Sequence, residues 1–400
     1  MTNDRGITTT VEPGAPGRAP VTRRPRIALA HDWLVGLRGG EWVLDAIVRA
    51  VSPWAEITRV YAMFDDHRPL TPAIDAQPRT VSRMGRIPGA VALRRWLLPG
   101  YPGAVAELSR RLADDHARKP VDLLISTSSA AIKGLAPPAG VPHLCYCHAP
   151  ARYLWSREEE YARGSLARRV GLRRFGPRLR AWDRASAANV TRFFANSRHT
   201  AGEVRRCFGR EAEVLHPPVR TEFFTPLPAD APRGEHMLVV AALEPYKRVD
   251  LAIAAAGVLN RPLRVVGDGT QRASLQRQAR RLGAPVQFLG RVSDERLREE
   301  YRTARALLFP QVEDFGIVAV EALACGLPVV ARAQGGALDI ITDGLTGAFF
   351  LGESPHALAG AVTRCPRNAD HACRTAGCTY SDARFIAEFA RHAQSTLTTF

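Results

Sequence analysis

Four hundred residues, 46% apolar and 24% charged, describe a globular chain too long for one ordinary core, so two domains are expected. No run of about 18 apolar residues occurs, which excludes a predicted helix across a bilayer. The seven cysteines, an odd and scattered set, predict reduced thiols in a cytoplasmic chain rather than a disulfide framework. The formal charge of +16 fits nucleic acid, anionic lipid or a phosphorylated ligand, or a merely solvated basic surface.

Residues 1–25 are rich in Pro, Gly, Thr and Arg and lack an apolar h-region; they read as a disordered tail and not as a secretory signal. Residues 26–31 (RIALAH) predict a buried strand, followed by a turn holding Gly39-Gly40 and a helix over 41–51. Strands are predicted at 121–126, 142–147 and 192–195, with a long Arg-rich helical region at 156–187. Prolines 217, 218, 226, 228 and 232 then interrupt the pattern and suggest a hinge. Beyond it, strands at 237–241, 263–266, 286–289, 306–309 and 328–331 alternate with helices at 249–259, 271–282, 294–304 and 316–325. Such alternation predicts an α/β chain of two Rossmann-like, doubly wound domains that face a central cleft. The expected division is a tail (1–25), a first domain (26–216), a hinge (217–234), a second domain (235–379) and a closing helix (380–400) that crosses back to the first domain.

Chemistry concentrates in residues 309–330, FPQVEDFGIVAVEALACGLPVV. A strand delivers Glu313 to a loop, and a helix starts near Phe315-Gly316 and runs through Ile317 with Glu321 as its one polar residue. A carboxylate on so apolar a helix must be paired, and an ionised one accepts from two vicinal hydroxyls at once, as ribose presents. Glu313 precedes a helix N-terminus, where amides and dipole favour phosphate, and so suits the hydroxyls of an attached sugar. Asp314 as a helix cap and Glu321 facing water is the plainer alternative. Gly39-Gly40 lets backbone amides approach a phosphate or sugar, or simply makes a tight turn. His148 ends a strand on the ligand side of the sheet. Neither Cys145, Cys147 and His148 nor Cys365, His371, Cys373 and Cys378 has the spacing of a metal knuckle, so no metal site is expected.

Glu313 and Glu321 form the E-x7-E spacing of retaining glycosyltransferases with the GT-B fold, and the chain resembles family 4 of that group. HDWL (31–34), YCHAPARYLW (146–155), ANSRHTAGEV (195–204), HPPV (216–219), LEPYKRVDLAI (243–253), GDG (267–269) and GGALDIITDGLTG (335–347) carry the resemblance over nearly the whole chain. Its versions of YCHAPARYLW and PYKRVDL are similar to mannosyltransferases that build lipid-linked bacterial polysaccharides.

The resemblance implies a metal-independent hexosyl transfer with retention, mannose from GDP-mannose being the expected substrate. A GDP- or UDP-linked sugar is the co-substrate, a lipid-linked saccharide or polysaccharide the acceptor, and no cofactor is expected. Lys247 would contact the diphosphate, Glu321 the ribose, Glu313 the donor sugar, and His148 the sugar or acceptor phosphate. Gly39, Gly40, Arg248, Gly267, Phe315, Gly316 and Ile317 complete the expected donor site. Where the family usually carries an arginine five residues before this lysine, the chain has Ala242, and Arg248 is the nearby substitute. Asp339 stands where a glutamate is common. Residues 83–119 carry eight basic against three acidic side chains and residues 157–184 nine against four. Of these, residues 83–111, which mix Arg94-Arg95 with Trp96, Leu97, Leu98 and Tyr101, suit an anionic membrane surface, and hence a peripheral location at the inner face of the cell membrane, or they pack a helix against the core. Lacking any zinc-finger or RRM signature, the chain is not expected to bind nucleic acid.

Overall fold

The computed structural model describes residues 23–94, 96–156, 158, 165–228 and 233–399. Hydrophobic runs buried on both faces are what a parallel sheet covered by helices requires, and both central strands of the first half have them: β1 (Arg26–Leu34) and β4 (Leu123–Ser128). Around them lie β2 (Glu56–Asp65), β3 (Arg79–Val81), β5 (His143–Cys147), β6 (Arg192–Ala195) and β7 (Ala212–Val214). All pair in parallel in the order β3-β2-β1-β4-β5-β6-β7.

The second half repeats the scheme. Its strands β8 (Met237–Val240), β9 (Leu263–Val266), β10 (Val286–Gly290), β11 (Ala306–Phe309), β12 (Val329–Arg332) and β13 (Gly347–Phe350) run parallel in the order β10-β9-β8-β11-β12-β13. In each sheet the order reverses beside its first strand, between β1 and β4 and between β8 and β11. Such a reversal opens a crevice beyond the carboxyl ends of the strands. The two crevices face one another, which gives the GT-B architecture.

Local chemistry shows why the flanking helices start where they do. The helix Gly39–Val51 opens with a capping box in which Glu41 accepts the Arg38 N–H at 3.1 Å, and it buries Val43, Leu44, Ile47, Val48 and Val51 at helical spacing. The helix Arg198–Phe208 is capped by Ser197, which accepts the Thr200 N–H at 3.0 Å, and ends at Gly209 in the left-handed conformation. The helix Leu166–Ser186 buries Leu172, Gly176 and Leu179 and carries Pro177 inside it; the rest of the predicted Arg-rich helical region falls partly on residues 157 and 159–164, outside the described residues. The helix Asp382–Thr399 places Phe385, Phe389 and Ala393 in the core of the first sheet, against the helix Gly39–Val51, and joins it through Arg49 and Asp382 at 3.0 Å.

Some elements differ from the reading of the sequence. The edge strands β3, β7 and β13 and the interior strand β2 are not among the predicted ones, although ITRVYAMF in β2 has the β-branched and aromatic content of a strand. Most of the predicted tail (1–22) lies outside the described residues, and its end is tied down, because Arg23 pairs with Asp122 at 2.8 Å. The predicted hinge is no free linker over its described part. Phe224 is fully buried in the core of the second half, and the Val219 N–H donates to the Tyr380 carbonyl at 3.0 Å, so the two chain crossings lie side by side. Proline fixes its own φ and removes backbone donors along that stretch, and its phenylalanines supply apolar surface that must be buried. Residues 229–232 lie outside the described residues. All seven cysteines are free, and no described helix is long and apolar enough to cross a membrane.

Candidate active site

Between the sheets lies a cavity of about 520 Å³ whose walls come from both halves. The first half contributes the end of β1, the Gly39-Gly40 turn and the residue after β5. The second contributes Lys247 and the run Glu313–Val318. Eight of the positions singled out in the sequence line it: Gly39, Gly40, His148, Lys247, Glu313, Phe315, Gly316 and Ile317.

On the first wall the backbone does most of the ordering. The Asp32 carboxylate, 2% exposed, accepts the N–H groups of Ser129, Ala130, Ala131 and Ile132 at 2.6–2.8 Å, and the Ser128 hydroxyl at 3.3 Å. It thereby fixes the loop that follows β4. His31 hydrogen-bonds Thr127 beside it. His148 is held by its main chain: its N–H donates to the Ser128 carbonyl at 2.8 Å, and its carbonyl accepts from Asn196 at 2.9 Å. Its ring nitrogen Nε2 is buried and has no partner. Burial, aided by neighbouring His31 and Arg152, pushes the imidazole pKa down to about 3, so His148 is neutral and has one hydrogen-bonding position to offer. A Cβ at Gly40 would stand 3.7 Å from that nitrogen, and one at Gly39 would stand 3.1 Å from Ile317 Cδ1 across the cleft. Gly39 therefore lets the two walls approach.

On the second wall charges are paired. Lys247, in the turn that precedes the helix Val249–Leu259, forms an ion pair with Glu313. The Glu313 loop is pinned from behind by Gly335-Gly336: the Gly336 N–H donates to the Glu313 carbonyl at 2.8 Å. A Cβ at Gly336 would fall 2.3 Å from the Phe315 backbone, so no larger residue fits there. Gly316, at φ 116°, turns the chain into the buried helix Ile317–Ala324.

Three expected donor residues lie elsewhere. Arg248 points into a neighbouring cavity, where Glu353 at 2.7 Å and Asp250 at 3.3 Å hold its guanidinium. It adopts the left-handed conformation at φ 51° as the cap of the following helix, and that directs its side chain away from Lys247. Ala242 is exposed, so neither residue adds a second cation to the Lys247 side. Gly267, at φ 123°, serves packing: a Cβ would fall 1.9 Å from the Ala241 carbonyl oxygen, and its N–H donates to Gly290 at 2.7 Å. Glu321 is partly buried and does not line the same cavity as Glu313. Its carboxylate accepts from the buried Tyr301 hydroxyl at 2.9 Å. Burial pushes its pKa up to about 7, against the opposing pull of Tyr301 and Arg220.

The sequence reading missed the contacts that join the halves. Arg152 pairs with Asp314 across the cleft, and the Ser197 hydroxyl donates to the Asp314 carbonyl. Asp339 accepts from the Arg198 N–H at 2.7 Å, the Arg198 guanidinium at 2.8 Å and His216 at 3.1 Å. Burial alone works against its charge, but these donors hold the Asp339 carboxyl at about 2. Nothing local marks such pairs, whose members stand more than 100 residues apart. Among the described residues, no group of three or more His, Cys, Asp or Glu side chains is placed to hold a metal ion.

Two facing doubly wound sheets with a shared polar cleft define the GT-B class, and solved structures share it. A sucrose-phosphate synthase from Thermosynechococcus elongatus covers 94% of this chain and all of its own at TM-score 0.71 and 20% identity. Anabaena HepE in complex with UDP does so at TM-score 0.66 and 18% identity, again over 94% of this chain and all of its own. Residues 38–223 match Glycosyltransferase Family 4 and residues 229–376 match Glycosyl transferases group 1. The chain belongs to the family 4-like glycosyltransferases of the GT-B fold. Curated relatives include a D-inositol 3-phosphate glycosyltransferase 2 of Catenulispora acidiphila, 34% identical over 43% of this chain and 47% of the relative. Another is a GDP-mannose-dependent alpha-(1-6)-phosphatidylinositol monomannoside mannosyltransferase of Mycolicibacterium smegmatis, 34% identical over 48% of this chain and 55% of the relative. The chain thus spans about half the length of the curated relatives it matches.

Proposed function

We propose that the chain transfers a hexose from a nucleotide sugar to a lipid-linked or polysaccharide acceptor, with retention of configuration and without a catalytic metal. Mannose from GDP-mannose is the donor we favour, supported by the mannosyltransferase among the relatives. The observation that carries the reading is the Lys247–Glu313 pair at the mouth of the helix Ile317–Ala324, opposite the unpartnered nitrogen of His148. A donor diphosphate takes Lys247 out of that pair, and the freed carboxylate accepts sugar hydroxyls. The lysine and the helix amides then stabilise the departing nucleoside diphosphate, and neutral His148 hydrogen-bonds the sugar or acceptor. Tyr301 hydrogen-bonds Glu321, the carboxylate that this reading assigns to the ribose. The acceptor is met at an anionic membrane surface, where the chain sits peripherally at the inner face of the cell membrane.

Nucleoside diphosphate release from GDP-mannose and from UDP-sugars, with acceptor lipid and with EDTA, tests this. The anomer of the product is read by NMR. An inverted product, or loss of activity with EDTA that added metal restores, defeats the mechanistic part.

One observation favours a second reading, a nucleotide-sugar-binding chain with little turnover: with Ala242 in place and Arg248 held by Glu353, Lys247 has no companion cation on its wall among the described residues. Thermal stabilisation by GDP-mannose with no diphosphate release would select it.

A further inference from the structure

Among the described residues, seven of the twelve large hydrophobic side chains that stand exposed belong to the first half, and six of them fall in two short segments. Ile87 (55%), Leu93 (53%) and Trp96 (52%) lie in one; Leu166 (73%), Val170 (57%) and Phe175 (40%) lie on the helix Leu166–Ser186. Each segment has an inner side that accounts for its place in the fold. Met84, Ala90, Val91, Leu97 and Leu98 pack on the core behind the first sheet, as does Leu179 of the helix. The outer residues satisfy no such need. The segments also touch, because the Arg168 guanidinium lies 5.9 Å from the centre of the Trp96 ring.

Charge on this face has one sign. No acidic residue occurs between positions 83 and 106, or between 165 and 182. Arg169, Arg173, Arg174 and Arg178 are exposed beside the apolar positions and form no ion pair among the described residues. Among the described residues, the acids that flank the face are already engaged: Glu107 with Arg83 and Arg111, and Glu158 with Arg180. Leu166, Val170 and Arg174 recur every fourth residue and so share one stripe of the helix. The face borders the cleft, since Arg94, two residues from Trp96, lines the cavity and lies 5.4 Å from the Trp33 ring.

We propose that these two segments form one docking surface for an anionic phospholipid bilayer, with Trp96, Leu166, Val170 and Phe175 entering the interface and the helix arginines engaging lipid phosphates. The inference deepens the membrane part of the proposed function and rests on it alone. A nucleic-acid surface would carry the arginines without the exposed aliphatic side chains among them; apolar groups beside unpaired cations fit a lipid interface instead. Docked this way, the cleft entrance at Arg94 opens toward the membrane plane, where an acceptor carried on lipid would stand.

Vesicle flotation of the full chain, without donor, tests this with phosphatidylcholine vesicles and with vesicles containing phosphatidylglycerol. Wild type is expected to partition onto the anionic vesicles only. Each exposed arginine is worth about a fivefold change in partitioning, so Arg169→Glu/Arg173→Glu/Arg174→Glu loses binding by about 100-fold or more. Leu166→Ser/Val170→Ser/Phe175→Ser leaves a residue of binding that high salt abolishes. All six positions are exposed, and unchanged circular dichroism and thermal midpoints show that the variants fold. Equal flotation of wild type and the charge-reversed variant overturns the assignment, as does RNA that displaces the chain from vesicles. Diphosphate release with a water-soluble acceptor stays at the wild-type rate in both variants. Binding to vesicles with no transfer to any acceptor would sink the transferase reading and leave the docking surface standing.

Discussion

Asp32 and Glu313 are carboxylates on opposite walls of one cavity, and they are satisfied in opposite ways. Asp32 takes four backbone N–H groups and a hydroxyl, which fills the acceptor positions a carboxylate has. Glu313 is met by a single lysine side chain. A carboxylate saturated by backbone cannot exchange partners without unfolding its loop, whereas one held by a lysine can trade it for a ligand. The first wall is therefore a shape, set by main-chain contacts, and the second a charge arrangement open to competition.

The largest expected effect sharpens that contrast. Asp32→Ala orphans four backbone N–H groups, three of them buried, and should lower stability by about 4 kcal/mol, measured by chemical denaturation, while activity follows the folded fraction. A stable variant with normal denaturation would break the comparison. Lys247→Ala is the converse case: normal stability, with turnover reduced by about 100-fold or more. Near-normal release of nucleoside diphosphate would remove Lys247 from the chemistry.

Glu321 separates stability from binding through pH. Its folded pKa is raised to about 7 from about 4.5. The folded state therefore keeps a proton that the unfolded chain releases between those values, and stability falls as pH rises through that window. Glu321→Gln should relieve this at pH 8, by about 2 kcal/mol in thermal or chemical unfolding, and weaken nucleotide affinity at the same time. If stability and affinity fall together, the carboxylate is structural. Arg198→Ala carries the smallest effect. Asp339, held at about 2, lends stability that is present above the ordinary carboxyl range and lost as pH falls toward 2. Arg198 is largely exposed, so its removal should cost no more than about 1 kcal/mol, seen as an earlier acid transition.

Much of the fold was legible because strand and helix periods are local. The runs at 192–195, 249–259, 263–266 and 306–309 form elements over those same residues. Short edge strands such as β3 and β7, three residues each, offer too few positions for a period to show. Within the site, the motifs pointed to residues that follow strand ends, and strand ends converge by topology. Arg248 shows the limit. Its place in the chain beside Lys247 suggested a shared ligand, but a left-handed cap turns it toward Glu353, more than 100 residues away.

By itself, the order of apolar and polar residues determined two parallel α/β halves, because burying both faces of a sheet leaves a mark on its central strands. Which cations are spent in pairs and which remain available was decided only by the tertiary structure. Lys247 meets Glu313, Arg152 meets Asp314, and Arg198 meets Asp339 through contacts between distant segments. Charge pairing depends on a few ångströms in space, and no spacing along the chain encodes that distance.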